Sequence, residues 1–235
     1  MASLPTSVSS DSLLAGSKGV QKETTHALIL DRHKVNNDVI IHALTEHHGR
    51  LSAAARHARR AKKRFRGHLE SLTLVEVTFR QRPDWDLARL DDARVIHAFP
   101  ILKSDLLRVA MASVMAEIVL GFTQQGLVEP ELFHLTHKAY KTLDDPSRTM
   151  DESLLVLFEL RTLLLSGFLP SLEDVFGPED PATKHCYQWL NGTWLPMSRE
   201  LAQRSAIRLE RLIEEHLGRP LRSRALLDEA LGWER

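Results

Sequence analysis

The chain has 235 residues, of which 43% are hydrophobic and 26% are charged, and its formal net charge is zero. This composition is typical of a globular protein, and a chain of this length buries roughly 70% of its unfolded surface, so it needs neither disulfides nor a metal to fold. The single cysteine, Cys186, excludes an intramolecular disulfide and any zinc site with four cysteines or with two cysteines and two histidines.

The first 22 residues contain six serines and no basic residue before Lys18, and their only apolar run, Leu13–Ala15, is too short for the core of a secretory signal. We therefore predict a disordered tail over residues 1–22. Farther along the chain, charged residues interrupt every apolar stretch before it reaches 18 residues, so we expect no membrane span.

Short segments rich in β-branched and aliphatic residues follow the tail. They predict strands, and the alternation of Val75, Val77 and Phe79 is typical of a half-buried strand. The predicted strands are His26–His33, Asp38–Thr45, Arg50–Arg56, Leu69–Phe79 and Trp85–Phe99, the last of which is one strand or two. Five short strands without a helical period predict a small barrel or sandwich over residues 23–100.

A dense block of positive charge lies between the third and fourth predicted strands. The basic window, His47–His68, contains eight arginines and lysines, four histidines and no acidic residue. As a result residues 1–100 carry a net charge of +5 and residues 101–235 one of −5. A block of one sign is typical of a phosphate-binding surface, although a solvated basic loop is the alternative. Phe65 and several alanines within the window favour a folded unit.

After Pro100 the apolar residues take helical spacing. Predicted helices are Leu106–Ile118, Glu131–Leu143, Asp151–Ser166, Ser198–Leu217 and a short last helix that Ser223 caps and Gly232 ends. Residues 168–197 contain several prolines and glycines and are predicted to be irregular. Glu117, on the buried first helix, is interpreted as a paired structural carboxylate.

Patterns that would indicate catalysis are incomplete. The Gly121–Gly126 spacing resembles a phosphate-binding loop, but Leu127 and Val128 occupy the places of its lysine and hydroxyl residue. The pair His134 and His137 has no third ligand of defined spacing. Cys186 is interpreted as an inert, partly buried thiol rather than a nucleophile. The sequence therefore does not support an enzyme, and we expect no cofactor.

Four stretches in order, between about residue 24 and about residue 232, resemble the RecO family of bacterial recombinational repair proteins. They are the opening strands with the Thr45-Glu46-x-x-Gly49-Arg50 turn, the basic run Ala55–Glu70, the segment from Phe158 to Gly167-Phe168-x-Pro170, and Pro220-Leu221-Arg222-Ser223-Arg224. Two features depart from the family. His57 stands where a glycine is usual, and Ser171–Pro196 contains only Cys186 where many members have four zinc cysteines.

The resemblance implies an α+β multidomain protein. An N-terminal five-stranded OB-fold β-barrel over residues 23–100 precedes an all-helical domain over residues 101–235, with a metal-free, zinc-finger-like insertion at about residues 168–197. It also implies a cytoplasmic, nucleoid-associated mediator without enzymatic activity. Such a protein binds single- and double-stranded DNA and anneals complementary strands. With RecR it helps load RecA onto DNA that is covered by single-strand-binding protein, whose acidic C-terminal tail it contacts.

Two groups of cations are candidate contacts. The predicted DNA-binding residues are Arg50, Arg56, Arg59, Arg60, Lys62, Lys63, Arg64 and Arg66. A second basic group near the C-terminus, considered for phosphate or the acidic tail, consists of Arg219, Arg222 and Arg224. The alternative to the second group is a solvated cluster at a helix end. An RNA-binding OB-fold protein and a histidine-dependent metallohydrolase are the competing hypotheses for function.

Overall fold

A computed structural model describes residues 20–56, 65, 68–82 and 84–232. Its strands are β1 (Gln21–Val35), β2 (Asp38–Thr45), β3 (Gly49–Ala55), β4 (Thr73–Gln81) and β5 (Ala88–His97). All five segments predicted to be strands are strands, and the last is a single one. β1 begins at Gln21, so residues 21 and 22 belong to the sheet rather than to the predicted tail. Residues 1–19 of that tail lie outside the described residues.

The strands form one sheet that closes on itself in the order β1-β2-β3-β5-β4. β1 is long enough to pair with two strands, β2 along its second half and β4 along its first half. All neighbours are antiparallel except β3 and β5, which meet in parallel at Ala53–Ala54 and Ala88–Arg89. The sheet therefore closes into a barrel instead of forming a sandwich, and its shortest junction is the one between β3 and β5.

The helical elements in the described part of the chain are α1 (Pro100–Ser104), α2 (Leu106–Phe122), α3 (Pro130–Leu143), α4 (Ser153–Leu165), α5 (Leu172–Phe176), α6 (Pro181–Leu190), α7 (Arg199–Leu217) and α8 (Arg224–Leu231). No helix among the described residues is long and apolar enough to cross a membrane.

The barrel and the helices share apolar contacts. Ala27 and Ile29 of β1 point into the barrel core, whereas Leu28 and Leu30 belong to the larger core built by the helices. This explains why residues 27–30 form an unbroken apolar run, since both faces of the strand are buried.

The prediction of irregular structure over residues 168–197 is wrong. This region contains α5 and α6, which begin after the capping residues Ser171 and Asp180. Pro181 occupies the first turn of α6, where its missing N–H has no helical partner to lose. The prolines and glycines therefore mark the ends of two short helices.

Glu117 is confirmed as a structural carboxylate. It accepts hydrogen bonds from the backbone N–H groups of Arg222 and Ser223 and from the hydroxyl of Ser223. Burial alone raises the pKa of Glu117, but these hydrogen bonds and one from Arg219 hold it below its usual value. Ser223 is the N-cap residue of the last helix, as predicted, but its hydroxyl donates to Glu117 instead of accepting a hydrogen bond from the helix backbone.

Candidate nucleic-acid interface

Buried anchors fix the ends of the basic window to the barrel. Arg56 is exposed directly after β3, and Phe65 and Leu69 are buried in the barrel core. His68 contacts the carbonyl of Ala93 through Nδ1 at 2.9 Å. Phe65, His68 and Leu69 therefore each contact the barrel.

Six of the eight cations predicted to bind DNA lie outside the described residues. They are Arg59, Arg60, Lys62, Lys63, Arg64 and Arg66. Their assignment to DNA stays a prediction. Of the other two, Arg56 is exposed at the start of the window, and Arg50 has a structural position.

Arg50 joins the barrel to the helical domain. Its Nη1 donates to the carbonyl of Leu120 at 2.8 Å, which satisfies an acceptor in the last turn of α2. Its backbone also bonds Gln124 and Gly126. The guanidinium is therefore held by the helix end, and its assignment to DNA stays a prediction.

Gly49, which precedes Arg50, fits only as glycine. Its φ is +67°, and a Cβ at this position would lie 2.1 Å from the carbonyl oxygen of Leu127. Thr45 closes the turn because its hydroxyl donates to the Gly49 carbonyl at 2.7 Å. The Thr45-Glu46-x-x-Gly49-Arg50 motif therefore builds the contact between the two domains.

The three cations of the second basic group have different environments. The exposed Arg219 forms an ion pair with Glu117 at 2.5 Å, and Arg222 is exposed. Arg224 is only 3% exposed. Its Nη2 lies 2.6 Å from Oε1 of Glu159 and its Nε lies 3.3 Å from Oε1 of Glu210. Arg224 is thus part of the core and is inaccessible to DNA or to a partner, so the group is not a continuous surface.

Two of the aromatic side chains in or near the basic window are buried. Phe65 is 5% exposed and Phe79 2% exposed, and both pack inside the barrel. Trp85 is half-buried, with the guanidinium carbon of Arg82 5.8 Å from the centre of its ring. Among these three rings, only Trp85 retains exposed surface for a base.

A pocket in the helical domain was missed by the sequence reasoning. It has a volume of about 310 Å³ and lies between α3, α4 and the end of α6. Trp189 and Trp194 stack beside it with centroids 5.2 Å apart and planes 16° from parallel. Its cations are Lys138, Arg148 and Arg161. We call this the tryptophan pocket. These residues are scattered along the sequence, so no local motif could have revealed it.

The histidines and the cysteine considered for chemistry do not converge. Among the described residues, no group of three or more His, Cys, Asp and Glu side chains is arranged to hold a metal ion. Cys186 is fully buried, which raises its pKa to about 12, so the thiol is protonated at neutral pH. This agrees with its interpretation as an inert thiol.

Comparison with known proteins gives the family. Residues 20–99 match the model for the N-terminal region of recombination protein O, and residues 103–204 match the model for its C-terminal region. The chain belongs to the RecO family. The junction between the two matched regions coincides with the start of α1, where the RecO barrel ends and the helices begin.

Curated relatives carry the name DNA repair protein RecO. The one from Syntrophobacter fumaroxidans is 33% identical over 168 residues, 70% of this chain and 66% of the relative. The one from Anaeromyxobacter sp. (strain K) is 36% identical over 138 residues, 58% of this chain and 53% of the relative. These alignments thus span between about half and two thirds of the relatives' length. A third, from Anaeromyxobacter sp. (strain Fw109-5), is 26% identical and extends over 82% of this chain and 90% of the relative.

We predict that the protein binds no structural zinc. Ser171–Pro196 offers only His185 and Cys186 as soft ligands. Cys186 is buried in the helical core, and Nδ1 of His185 contacts the carbonyl of Pro181 at 3.0 Å. Elemental analysis after dialysis against a chelator should find far less than one zinc per chain. One zinc retained per chain would contradict this prediction.

Proposed function

We propose that this protein is a DNA-binding mediator of recombinational repair, without enzymatic activity of its own. It binds single- and double-stranded DNA, anneals complementary strands and, with RecR, helps load RecA onto DNA covered by single-strand-binding protein. The observation that carries the proposal is an acid-free basic window anchored to a closed barrel in a chain of the RecO family.

The strand order supports an OB-fold as the framework of this activity. A five-stranded barrel with one parallel contact between its third and fifth strands is compatible with that fold, whose surface and loops bind oligonucleotides. OB-folds hold single strands with a positive groove and with aromatic stacking. Here the stacking component is small, since Phe65 and Phe79 are buried. We therefore expect affinity to come mainly from charge.

Charge also explains annealing. Two complementary strands repel each other through their phosphates, and a dense cationic segment lowers that repulsion when it contacts both. The eight arginines and lysines of the basic window supply the positive charge, with no acidic residue between them. Contacts with the phosphate backbone carry no information about the bases, so annealing should not depend on the DNA sequence.

The tryptophan pocket supports the proposed contact with the acidic tail of single-strand-binding protein better than the second basic group does. Lys138, Arg148 and Arg161 surround a floor of leucines and Phe158. Such a site holds carboxylates by charge-assisted hydrogen bonds and an apolar side chain by burial. Arg224, by contrast, is committed to two carboxylates in the core.

We predict that DNA binding depends strongly on salt and weakly on sequence. If about five of the eight cations neutralise phosphates, log K against log salt should have a slope near roughly −3.5 on single strands. Fluorescence anisotropy at several salt concentrations measures this slope. Parallel titrations with single-stranded RNA test the RNA-binding alternative. A slope near zero, a sharp preference for one DNA sequence, or a clear preference for RNA would contradict the proposal.

The deciding experiment is an annealing assay on naked strands and on strands covered by single-strand-binding protein. The wild-type protein should accelerate both reactions. Trp194→Ala removes a ring that is 43% exposed beside the tryptophan pocket, so it should slow annealing of covered strands several-fold and leave naked strands unaffected. No acceleration of either reaction by the wild type would contradict the mediator. Equal activity of the variant on covered strands would place the tail elsewhere.

A further inference from the structure

The exposed side of α3 carries a second cationic groove, which adjoins the tryptophan pocket and shares Lys138, Thr142 and Arg148 with it. It has a volume of about 340 Å³, and every side chain that lines it is polar. We call it the α3 groove. Its basic residues are His134, His137, Lys138, Lys141 and Arg148.

The positive charge of the α3 groove is not neutralised by its neighbours. Among the described residues, neither Lys138 nor Lys141 forms an ion pair with a carboxylate, and both are exposed. Asp145, the acidic residue of the groove, lies 3.5 Å from Nε of Arg148 and accepts a hydrogen bond from the Ser147 hydroxyl at 2.6 Å. Arg148 thus balances Asp145, and the two lysines remain as surplus charge aimed at solvent.

The chemistry of the groove favours phosphodiesters over an acidic peptide. A peptide site needs an apolar recess for anchoring side chains. The tryptophan pocket has one, whereas the α3 groove is lined by no apolar side chain. From His134 to Lys141 the helix rises roughly 10 Å, at about 1.5 Å per residue, which is the length of about three nucleotides at 3.4 Å each.

The α3 groove lies close to the barrel. Asp144, the residue after α3, bonds the backbone N–H of Leu102 at 3.0 Å, and its Oδ2 lies 3.8 Å from Nε2 of His97 at the end of β5. A strand held on α3 would therefore pass beside the barrel that carries the basic window.

We propose that the α3 groove binds the sugar-phosphate backbone of a second DNA strand while the basic window holds the first. This inference rests on the proposed function, because it assumes that the barrel binds DNA. It gives one molecule two separate backbone sites. One molecule can then hold two strands without competition for the same cations, which is what annealing by a single molecule requires.

The test measures how many oligonucleotides one chain binds. Native mass spectrometry with a non-complementary pair of short single strands should show two per chain for the wild type. Lys138→Glu/Lys141→Glu should bind one and should lose annealing of naked strands roughly tenfold or more, because each reversal replaces a phosphate contact with a repulsive charge. Naked strands are used because Lys138 also lines the tryptophan pocket. The matched control, Lys184→Glu/Arg211→Glu, makes the same charge change at two exposed positions outside the groove and should keep two.

A second variant guards against loss of folding. Lys138→Gln/Lys141→Gln removes the charge without reversing it, and it should bind the second strand more weakly with a thermal melt like that of the wild type. The proposal for the α3 groove is wrong if the wild type binds only one strand, or if the Lys138→Glu/Lys141→Glu variant still binds two. Either result leaves the proposed function as a DNA-binding mediator unaffected. The same holds if that variant keeps both strands and loses only an acidic peptide. A wild type that binds no DNA overturns the mediator itself.

Discussion

Replacing Arg224 with alanine is expected to lower the free energy of unfolding by roughly 3–5 kcal/mol, which is the usual cost of breaking a buried ion pair by removing one partner. Arg224 is 3% exposed, and Glu159 and Glu210, its two carboxylate partners, are 0% and 5% exposed. Without the guanidinium, both buried carboxylates would lose the charged partner that lies 2.6 Å from Glu159 and 3.3 Å from Glu210. Burial of a lone charge is far more costly than loss of a surface pair.

Arg222→Ala is the matched control for this prediction. It removes the same side chain two positions earlier, where the residue is exposed and only its backbone N–H bonds Glu117. We expect a change within about 0.5 kcal/mol, as for most surface substitutions. Urea denaturation followed by circular dichroism gives both values. A loss below about 1 kcal/mol for Arg224→Ala would show that Glu159 and Glu210 find other partners or take up protons.

The contrast between these two arginines shows what a sequence pattern leaves undetermined. Pro220-Leu221-Arg222-Ser223-Arg224 presents three polar or charged residues in a row, and charge alone predicts a solvated cluster. The distinction comes from Glu159 on α4 and Glu210 on α7, which are distant in sequence and adjacent only after packing. The contact of Arg50 with the helical domain is hidden from the sequence for the same reason, because its acceptor is a backbone carbonyl at the end of α2.

Features set by local periodicity were predictable. The alternation of Val75, Val77 and Phe79 correctly indicated β4, and helical spacing located α2, α3, α4 and α7 within a few residues. These patterns depend on neighbours along the chain, and burial follows from them. Closure of the sheet into a barrel rests instead on the pairing of β1 with β4 and of β3 with β5, which local patterns do not encode.

Proline and glycine were the least reliable guide. They suggested irregular structure over residues 168–197. Ser171 and Asp180, however, occupy the N-cap positions of α5 and α6, and Pro181 lies in the first turn of α6, where these residue types favour the start of a helix. For the candidate site, the basic window was predictable as a charge block. The tryptophan pocket and the α3 groove were not, because each gathers residues from separate helices or from a helix and the following loop.

Reversing four charges of the basic window should remove tight DNA binding and annealing while it leaves the fold intact. The variant Arg59→Glu/Arg60→Glu/Lys63→Glu/Arg64→Glu changes the densest part of the acid-free window. Each reversal deletes a phosphate contact and places a repulsive charge within one Debye length, about 8 Å at physiological salt, of the DNA backbone. If all four cations contact phosphates, the slope of log K against log salt on single strands should become less negative by roughly 3 units, at about 0.7 per contact.

The fold should survive these substitutions because the buried anchors of the window are untouched. Phe65 and Leu69 keep their places in the barrel core, and the mutual repulsion of eight neighbouring cations is relieved. The control reverses four exposed cations outside the basic window, the second basic group and the α3 groove, Lys34, Lys184, Arg204 and Arg211, and so matches the change in net charge. Thermal melting paired with anisotropy titration separates binding from folding. If the window variant melts like the wild type and binds single strands as tightly, the window is a solvated bystander. If the control loses binding to the same degree, net charge rather than the window directs DNA to the protein.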